Sequence, residues 1–320
     1  MALLESILDT VGRTPIVRLN RVAPDHVQVY AKLEAFNPGG SVKDRLALAI
    51  VLDAEQRGLL KPGDTIVEAT SGNTGVAMAM VAAVRGYGFV AVMTETFSVE
   101  RRKLIRAYGG KVILTPAATR GVGMVEKAKE LAAKHGWFLA SQFSNPANPA
   151  YHRNTTGAEI LQDFAGRRLD YFVSGWGTGG TLTGVGEMLR VARPDVKLVA
   201  AEPSAAPLLS GQTWNSHKIQ GWTPDFLPDV LNPDLHTETV LVDDAEAIAT
   251  ARRLAAQEGL FVGISAGATA AAALKLAQRA AKGSVILAVL PDTGERYLST
   301  PLFEGINEGS DDEWLASIEP

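Results

Sequence analysis

Lys43 lies in the run Asn37-Pro38-Gly39-Gly40-Ser41-Val42-Lys43-Asp44-Arg45, where a Pro-Gly-Gly turn delivers one amine into an apolar segment. The turn stops the extended stretch before it, and Ser41 suits a helix N-cap. A lysine buried at such a junction loses its proton readily and acts as an amine nucleophile or base. Alone, Lys-Asp-Arg reads better as a solvated surface patch, since buried lysines are rare.

Three further stretches shift that balance. Glu68-Ala69-Thr70-Ser71-Gly72-Asn73-Thr74-Gly75 joins an apolar run to a helical pattern of small residues. Its hydroxyls, carboxamide and backbone N–H groups at a helix start fit a small carboxylate, although the same residues also make an ordinary capped helix. Ser174-Gly175-Trp176-Gly177-Thr178-Gly179-Gly180-Thr181 is glycine-rich enough for the backbone to wrap phosphate oxygens, with Thr178 and Thr181 as added donors. Gly175, Gly177 and Gly180 also satisfy G-x-G-x-x-G, with Glu202 where a ribose-binding acid is expected, so a nicotinamide cofactor and a single phosphate both fit. The last stretch, Gly263-Ile264-Ser265-Ala266-Gly267-Ala268, opens another helix. Pro291-Asp292-Thr293-Gly294-Glu295-Arg296-Tyr297 follows the final apolar run. The five histidines show no metal-ligand spacing and no carboxylate cluster suggests a hard cation, so no catalytic metal is expected.

The elements that must position these residues alternate. Apolar runs at 65–69, 89–93, 111–115, 137–141, 171–174, 197–201, 238–242 and 285–290 read as strands. Helical patterns fall at 74–84, 99–108, 122–134, 155–164, 181–191, 245–257 and 266–281. This order predicts an α/β fold with mostly parallel sheets covered on both faces. A length of 320 residues favours two domains. The proline- and asparagine-rich stretch 144–149 marks the boundary, and 204–233 reads as a long irregular, functional loop. A hydrophobic fraction of 46% with 21% charged residues is that of a soluble globular protein. The net charge of -4 gives no reason to expect nucleic acid or an anionic membrane as partner, and zero cysteines exclude disulfides and thiolate chemistry. Glu5 and Asp9 interrupt any signal-peptide pattern and no apolar run is long enough to span a membrane, so a cytoplasmic location is expected.

The motifs N-P-x-G-S-V-K-D-R, T-S-G-N-T-G, G-T-G-G-T and S-A-G-A occur here in the order found in the cysteine synthases, or O-acetylserine sulfhydrylases. The chain resembles that family from Leu8 to Thr300, hence the fold-type II, tryptophan-synthase-β-like pyridoxal-phosphate enzymes. The resemblance implies two doubly wound α/β domains with the cofactor in the cleft between them. Residues 1–12 and 35–145 would form the mobile, substrate-carboxylate domain, and 13–34 and 146–320 the cofactor-phosphate domain. It also implies the roles. Lys43 would carry pyridoxal phosphate as an imine and later move the substrate α-proton. Asn73 would bind the ring oxygen, Gly177, Thr178, Gly179, Gly180 and Thr181 the phosphate, and Ser265 the ring nitrogen. Thr70, Ser71, Thr74 and Gln142 would hold the substrate carboxylate.

The implied reaction eliminates acetate from O-acetyl-L-serine and adds sulfide to give L-cysteine. The implied partners are a second copy, in a homodimer, and in some relatives the C-terminal tail of serine acetyltransferase. Two departures stand out. Thr94 replaces the proline of M-P-E-T, and Gly221-Trp222-Thr223-Pro224-Asp225-Phe226 replaces G-I-G-A-G-F, with Trp222 expected to narrow the cleft edge. The second lies nearer the thiosulfate-using B form, though the A-like, sulfide-using activity is the main expectation. Other readings are a cystathionine β-synthase-like use of serine and homocysteine, a serine/threonine dehydratase, a nicotinamide dehydrogenase, and a non-catalytic regulatory partner.

Overall fold

The computed structural model describes residues 3–70, 72–96, 99–306 and 309–318. Among them run ten strands: β1 (Ile16–Leu19), β2 (Gln28–Leu33), β3 (Thr65–Ala69), β4 (Gly88–Thr94), β5 (Lys111–Thr115), β6 (Phe138–Leu139), β7 (Tyr171–Gly175), β8 (Lys197–Pro203), β9 (Glu238–Val242) and β10 (Val285–Leu290). They form two sheets, a four-stranded one in the order β5-β4-β3-β6 and a six-stranded one in the order β1-β2-β10-β7-β8-β9. Every pairing is parallel except that of β1 with β2. The fold is therefore α/β with two mostly parallel sheets, as the alternation of runs predicts.

Strand β10 shows why the larger sheet is central. All six of its residues are buried. Ile286, Ala288 and Leu290 join one apolar cluster, while Val285, Leu287 and Val289 join another on the opposite face. A strand covered on both sides needs such a continuous apolar run. The helix Ile264–Arg279, rich in alanine, packs into the first cluster, and Leu182, Val185 and Leu189 of the helix Gly180–Ala192 fill the second. A third cluster seals the small sheet beneath the helices Lys43–Gln56 and Asn73–Arg85.

β1 and β2 fall outside the eight runs read as strands, and two of the expected elements take a different form. The run at 137–141 pairs over Phe138–Leu139 only, because Ser141 takes a left-handed φ of 56° and turns the chain away. The helical segment expected at 155–164 is preceded by a helix at Ala147–His152, with a π-helical turn at Arg153–Gly157 between it and Ala158–Asp163. Pro149 sits in the first turn of that early helix, where its missing N–H costs nothing. The segment 204–237 contains no helix or strand, and no described helix is long and apolar enough to cross a membrane.

Candidate active site

Lys43 is the first residue of the helix Lys43–Gln56, and Ser41 Oγ accepts from its backbone N–H at 3.2 Å. The helix start is pinned to the chain after β10, with Val42 N donating to Pro291 O at 2.8 Å and Ser41 bridging Asp292. Farther along, Arg45 makes a bidentate pair with Glu34 at the end of β2, through Nε at 2.7 Å and Nη2 at 2.9 Å. It also reaches Glu159 at 2.7 and 2.8 Å, and Lys32 meets the same carboxylate at 2.8 Å. Burial alone would raise the Glu34 carboxyl, yet Arg45, Lys32 and Thr14 hold it down at about 2. The network ties the lysine helix to the six-stranded sheet.

Burial pushes the Lys43 ammonium below its usual range, against the opposing pull of Asp292 and Glu34, and Arg101 adds to the depression. Beside it, burial pushes the Asp44 carboxyl up to about 7, despite a hydrogen bond from Gly39 N at 2.5 Å.

The loop after β3 presents Asn73 and Thr74. Asn73 Nδ2 donates to Asp292 at 2.6 Å and its Oδ1 accepts from Arg296 at 3.0 Å. Thr74 Oγ1 donates to Gln142 Oε1 at 2.7 Å, and Gln142 Nε2 donates to Ala69 O at 2.5 Å. Thr70 is fully buried, its hydroxyl accepting from the N–H groups of Gly72 and Gly75, so it shapes the loop from within. Ser71 lies outside the described residues.

The glycine-rich loop follows β7 and leads into the helix Gly180–Ala192. Gly179 takes a left-handed φ of 86°, and a Cβ on Gly177 would collide with the carbonyl of Gly221. The N-cap Gly179 has no side chain to offer this helix, and Gly180 N donates to Thr178 Oγ1 at 3.4 Å, which leaves the next N–H groups of the first turn available to an anion. Thr178 Oγ1 accepts from Asn148 at 3.0 Å, and Thr181 Oγ1 lies 3.2 Å from His152 Nε2. Burial, helped by Arg45, pushes His152 down to about 3, so its imidazole is neutral.

Ser265, buried in the first turn of the helix Ile264–Arg279, lines the same space. A cavity of about 600 Å³ thus brings together Lys43, Asn73, Thr74, Gln142, the 177–181 loop and Ser265. A part-buried amine, an uncapped helix start wrapped by glycines and a neutral hydroxyl fit a phosphorylated pyridine aldehyde. Glu202 is engaged elsewhere. Its Oε1 accepts from Trp176 and from Leu209 N within the fold, which leaves a ribose nothing to meet.

Trp222 lines the cavity, as expected, but it does not project into solvent at the rim. Its indole is buried and packs where a Cβ on Gly175 would lie. Thr94 lines the cavity with its hydroxyl 3.0 Å from that of Thr96. Sequence reasoning missed Arg101, whose guanidinium lies over Tyr297 and donates to Gln220, and it left the carboxylate of Asp292 without a task. Neither carries a local pattern, because both act on residues remote in the chain.

With this geometry, the chain belongs to the pyridoxal-phosphate dependent enzyme family, whose model matches residues 7–292. Within it the chain is 65% identical to O-ureido-L-serine synthase of Streptomyces lavendulae, covering 100% of this chain and 98% of that protein. It is 49% identical to cysteine synthase of Staphylococcus aureus, over 94% and 97%. The crystal structure of an O-ureido-L-serine-bound K43A mutant of O-ureido-L-serine synthase superposes with a TM-score of 0.98 at 64% identity, covering 100% and 99%.

Proposed function

We propose that this chain catalyses β-replacement on O-acetyl-L-serine, with hydroxyurea as acceptor and O-ureido-L-serine as product. The 65% identity to a synthase of that product over the whole chain supports this reading above the others. The Cβ–O bond to acetate breaks, a Cβ–O bond to the hydroxyurea oxygen forms, and the hydroxyl proton is lost. The cavity wall agrees. Trp214, Ser216, His217, Gln220 and Asp225 line it, and a neutral urea can use such rings and polar groups where sulfide cannot. The second reading is L-cysteine formation from sulfide, favoured by the cysteine synthases at 49% identity.

Bound pyridoxal phosphate supplies a carbonyl for covalent attachment and an electron-withdrawing ring that acidifies the substrate α-carbon. In this reading Lys43 Nζ is the point of attachment and then the base that takes the α-proton, which its lowered proton affinity favours. Asn73 holds the ring oxygen. Gly177, Thr178, Gly179, Gly180 and Thr181 hold the phosphate at the helix start. Ser265 would face the ring nitrogen with an uncharged hydroxyl, which would leave that nitrogen less protonated than a carboxylate partner would. Thr74 and Gln142, with Ser71, bind the substrate carboxylate, and Thr70 braces their loop. The same reading carries a homodimer, checked by sedimentation. It also carries competition by an acetyltransferase C-terminal peptide, checked by inhibition against O-acetylserine.

The test supplies the holoenzyme with O-acetyl-L-serine plus hydroxyurea or sulfide and identifies products by mass. O-Ureido-L-serine formed with the higher kcat/KM supports the first reading, and a preference for sulfide supports the second. If O-acetyl-L-serine is not consumed with either acceptor, both fail.

A further inference from the structure

The segment after β10 is the part of the site that the proposed chemistry leaves without a role. Asp292 is fully buried at the meeting point of three elements. It bridges Ser41 at the start of the lysine helix, and its carbonyl accepts from Gly263 N, at the N-cap of the Ser265 helix, at 3.3 Å. Its side chain reaches the third element, the Asn73 loop. Oδ2 accepts from Asn73 Nδ2 and from Tyr297 OH, both at 2.6 Å.

These partners fix which way the Asn73 carboxamide points. A carboxylate only accepts and a guanidinium only donates. With Asp292 on one side and Arg296 Nη1 on the other, the NH2 group must face Asp292 and the oxygen must face Arg296. One N–H of Asn73 then remains to be donated, and Asn73 lines the cavity. Arg296 is itself anchored through Nη2 to the carbonyl of Gly39, in the turn that delivers Lys43.

The second oxygen, Asp292 Oδ1, is buried without a hydrogen-bond partner. A buried carboxylate oxygen left unpaired is costly unless a cation is nearby. Asp292 pairs with Ser41, two residues before Lys43, and its negative charge opposes the lowering of the Lys43 amine by burial. The other charged and titratable groups here are Arg101 and Arg296, both acting on Tyr297, Asp44, which feels Arg296, and Arg101, Glu34 and His152 around Lys43.

We propose that Asp292 is a positioning residue: with Arg296 and Tyr297 it locks the Asn73 amide as a hydrogen-bond donor toward an anionic ring oxygen, and its free carboxylate oxygen balances positive charge at Lys43. This rests on the assignment of Asn73 as a cofactor-binding residue, and the experiment separates the two.

Apoprotein of the wild type, Asp292→Asn, Asn73→Ala and the double variant is titrated with pyridoxal phosphate, followed by visible absorbance and tryptophan fluorescence. A separate pH titration follows the visible band of each holoprotein. Asn73→Ala and Asp292→Asn each weaken binding about ten- to a hundredfold, the range for a hydrogen bond to a charged group. The double variant loses clearly less than the product of the two single effects, because part of the action of Asp292 passes through Asn73. In Asp292→Asn the pH midpoint of the band falls by about one unit or more, the effect of removing a close opposite charge. Wild-type affinity and midpoint in Asp292→Asn, or full additivity in the double variant, overturns the proposal. Wild-type affinity in Asn73→Ala overturns the Asn73 assignment and with it this inference. If Asp292→Asn fails to fold, Arg296→Gln takes its place. It removes the donor to Asn73 Oδ1, and additivity with Asn73→Ala then counts against the proposal.

Discussion

The guanidinium carbon of Arg101 lies 4.6 Å from the centre of the Tyr297 ring, and Arg101 Nη1 donates to Gln220 Oε1 at 2.7 Å. One buried side chain therefore joins the helix Val99–Ala107 to the segment after β10 and to the irregular loop that walls the cavity. A desolvated cation–π contact contributes about 2 kcal/mol. Arg101→Ala is expected to lower kcat/KM for the amino-acid substrate about ten- to a hundredfold by loosening that wall. Arg101→Lys, which keeps the charge, should recover part of it. Steady-state kinetics on both variants decide, and unchanged kinetics in Arg101→Ala would show that the contact does not shape the working cavity.

Lys43→Ala removes the amine from the cavity. Borohydride reduction of the wild type, followed by peptide mass mapping, is expected to place a pyridoxyl group on Lys43, with no labelled lysine in the variant. Turnover should fall by at least about 10²–10⁴, the usual worth of a positioned general base. A label on another lysine of the native protein would reassign the site.

Burial pushes the Glu68 carboxyl up to about 8, against hydrogen bonds from the N–H groups of Gln142, Ala69 and Ser141. The folded chain therefore keeps a proton there that the unfolded chain releases near an ordinary pKa of about 4.3. The stability contributed by that proton is present below about pH 4.3 and lost as pH rises toward 8. Glu68→Gln is already neutral and does not suffer this loss. Urea unfolding should show the variant gaining on the wild type across that interval, by on the order of 5 kcal/mol at most. A stability difference that does not vary with pH would mean that Glu68 titrates normally.

Gly175→Ala places a methyl group inside the volume of the Trp222 indole. Overpacking of this kind costs about 1–3 kcal/mol. The variant is expected to show a lower melting temperature and a shifted tryptophan emission. The change in selectivity between hydroxyurea and sulfide should exceed the change in cofactor affinity. An unshifted emission spectrum would place the indole elsewhere.

Much of this arrangement could be read from the chain because parallel strands bind ligands in the loops beyond their carboxyl ends. After β3 and β7, glycines and hydroxyl residues follow an apolar run, and Lys43 and Ser265 each open a helix. The rest depended on contacts that local spacing does not encode. Asn73 and Asp292 are 219 positions apart and meet only because the lysine helix is stitched to the chain after β10. Thr70 looks like a ligand group by type, yet its hydroxyl serves two backbone N–H groups of its own loop. Trp222 lines the cavity as its size suggests, and the bare backbone of Gly175, remote in the chain, also gives its indole a place in the core.

The ionic cluster of Arg45, Glu34, Glu159 and Lys32 has a mechanical consequence. Lys43 precedes the small sheet in the chain, but its helix is bolted through Arg45 to the frame built around the larger one. Breaking such an enclosed ion pair costs about 3–5 kcal/mol. Any breathing of the cavity must then pivot about joints in the small-sheet half, leaving the Lys43 helix stationary relative to the 177–181 loop while the rest swings.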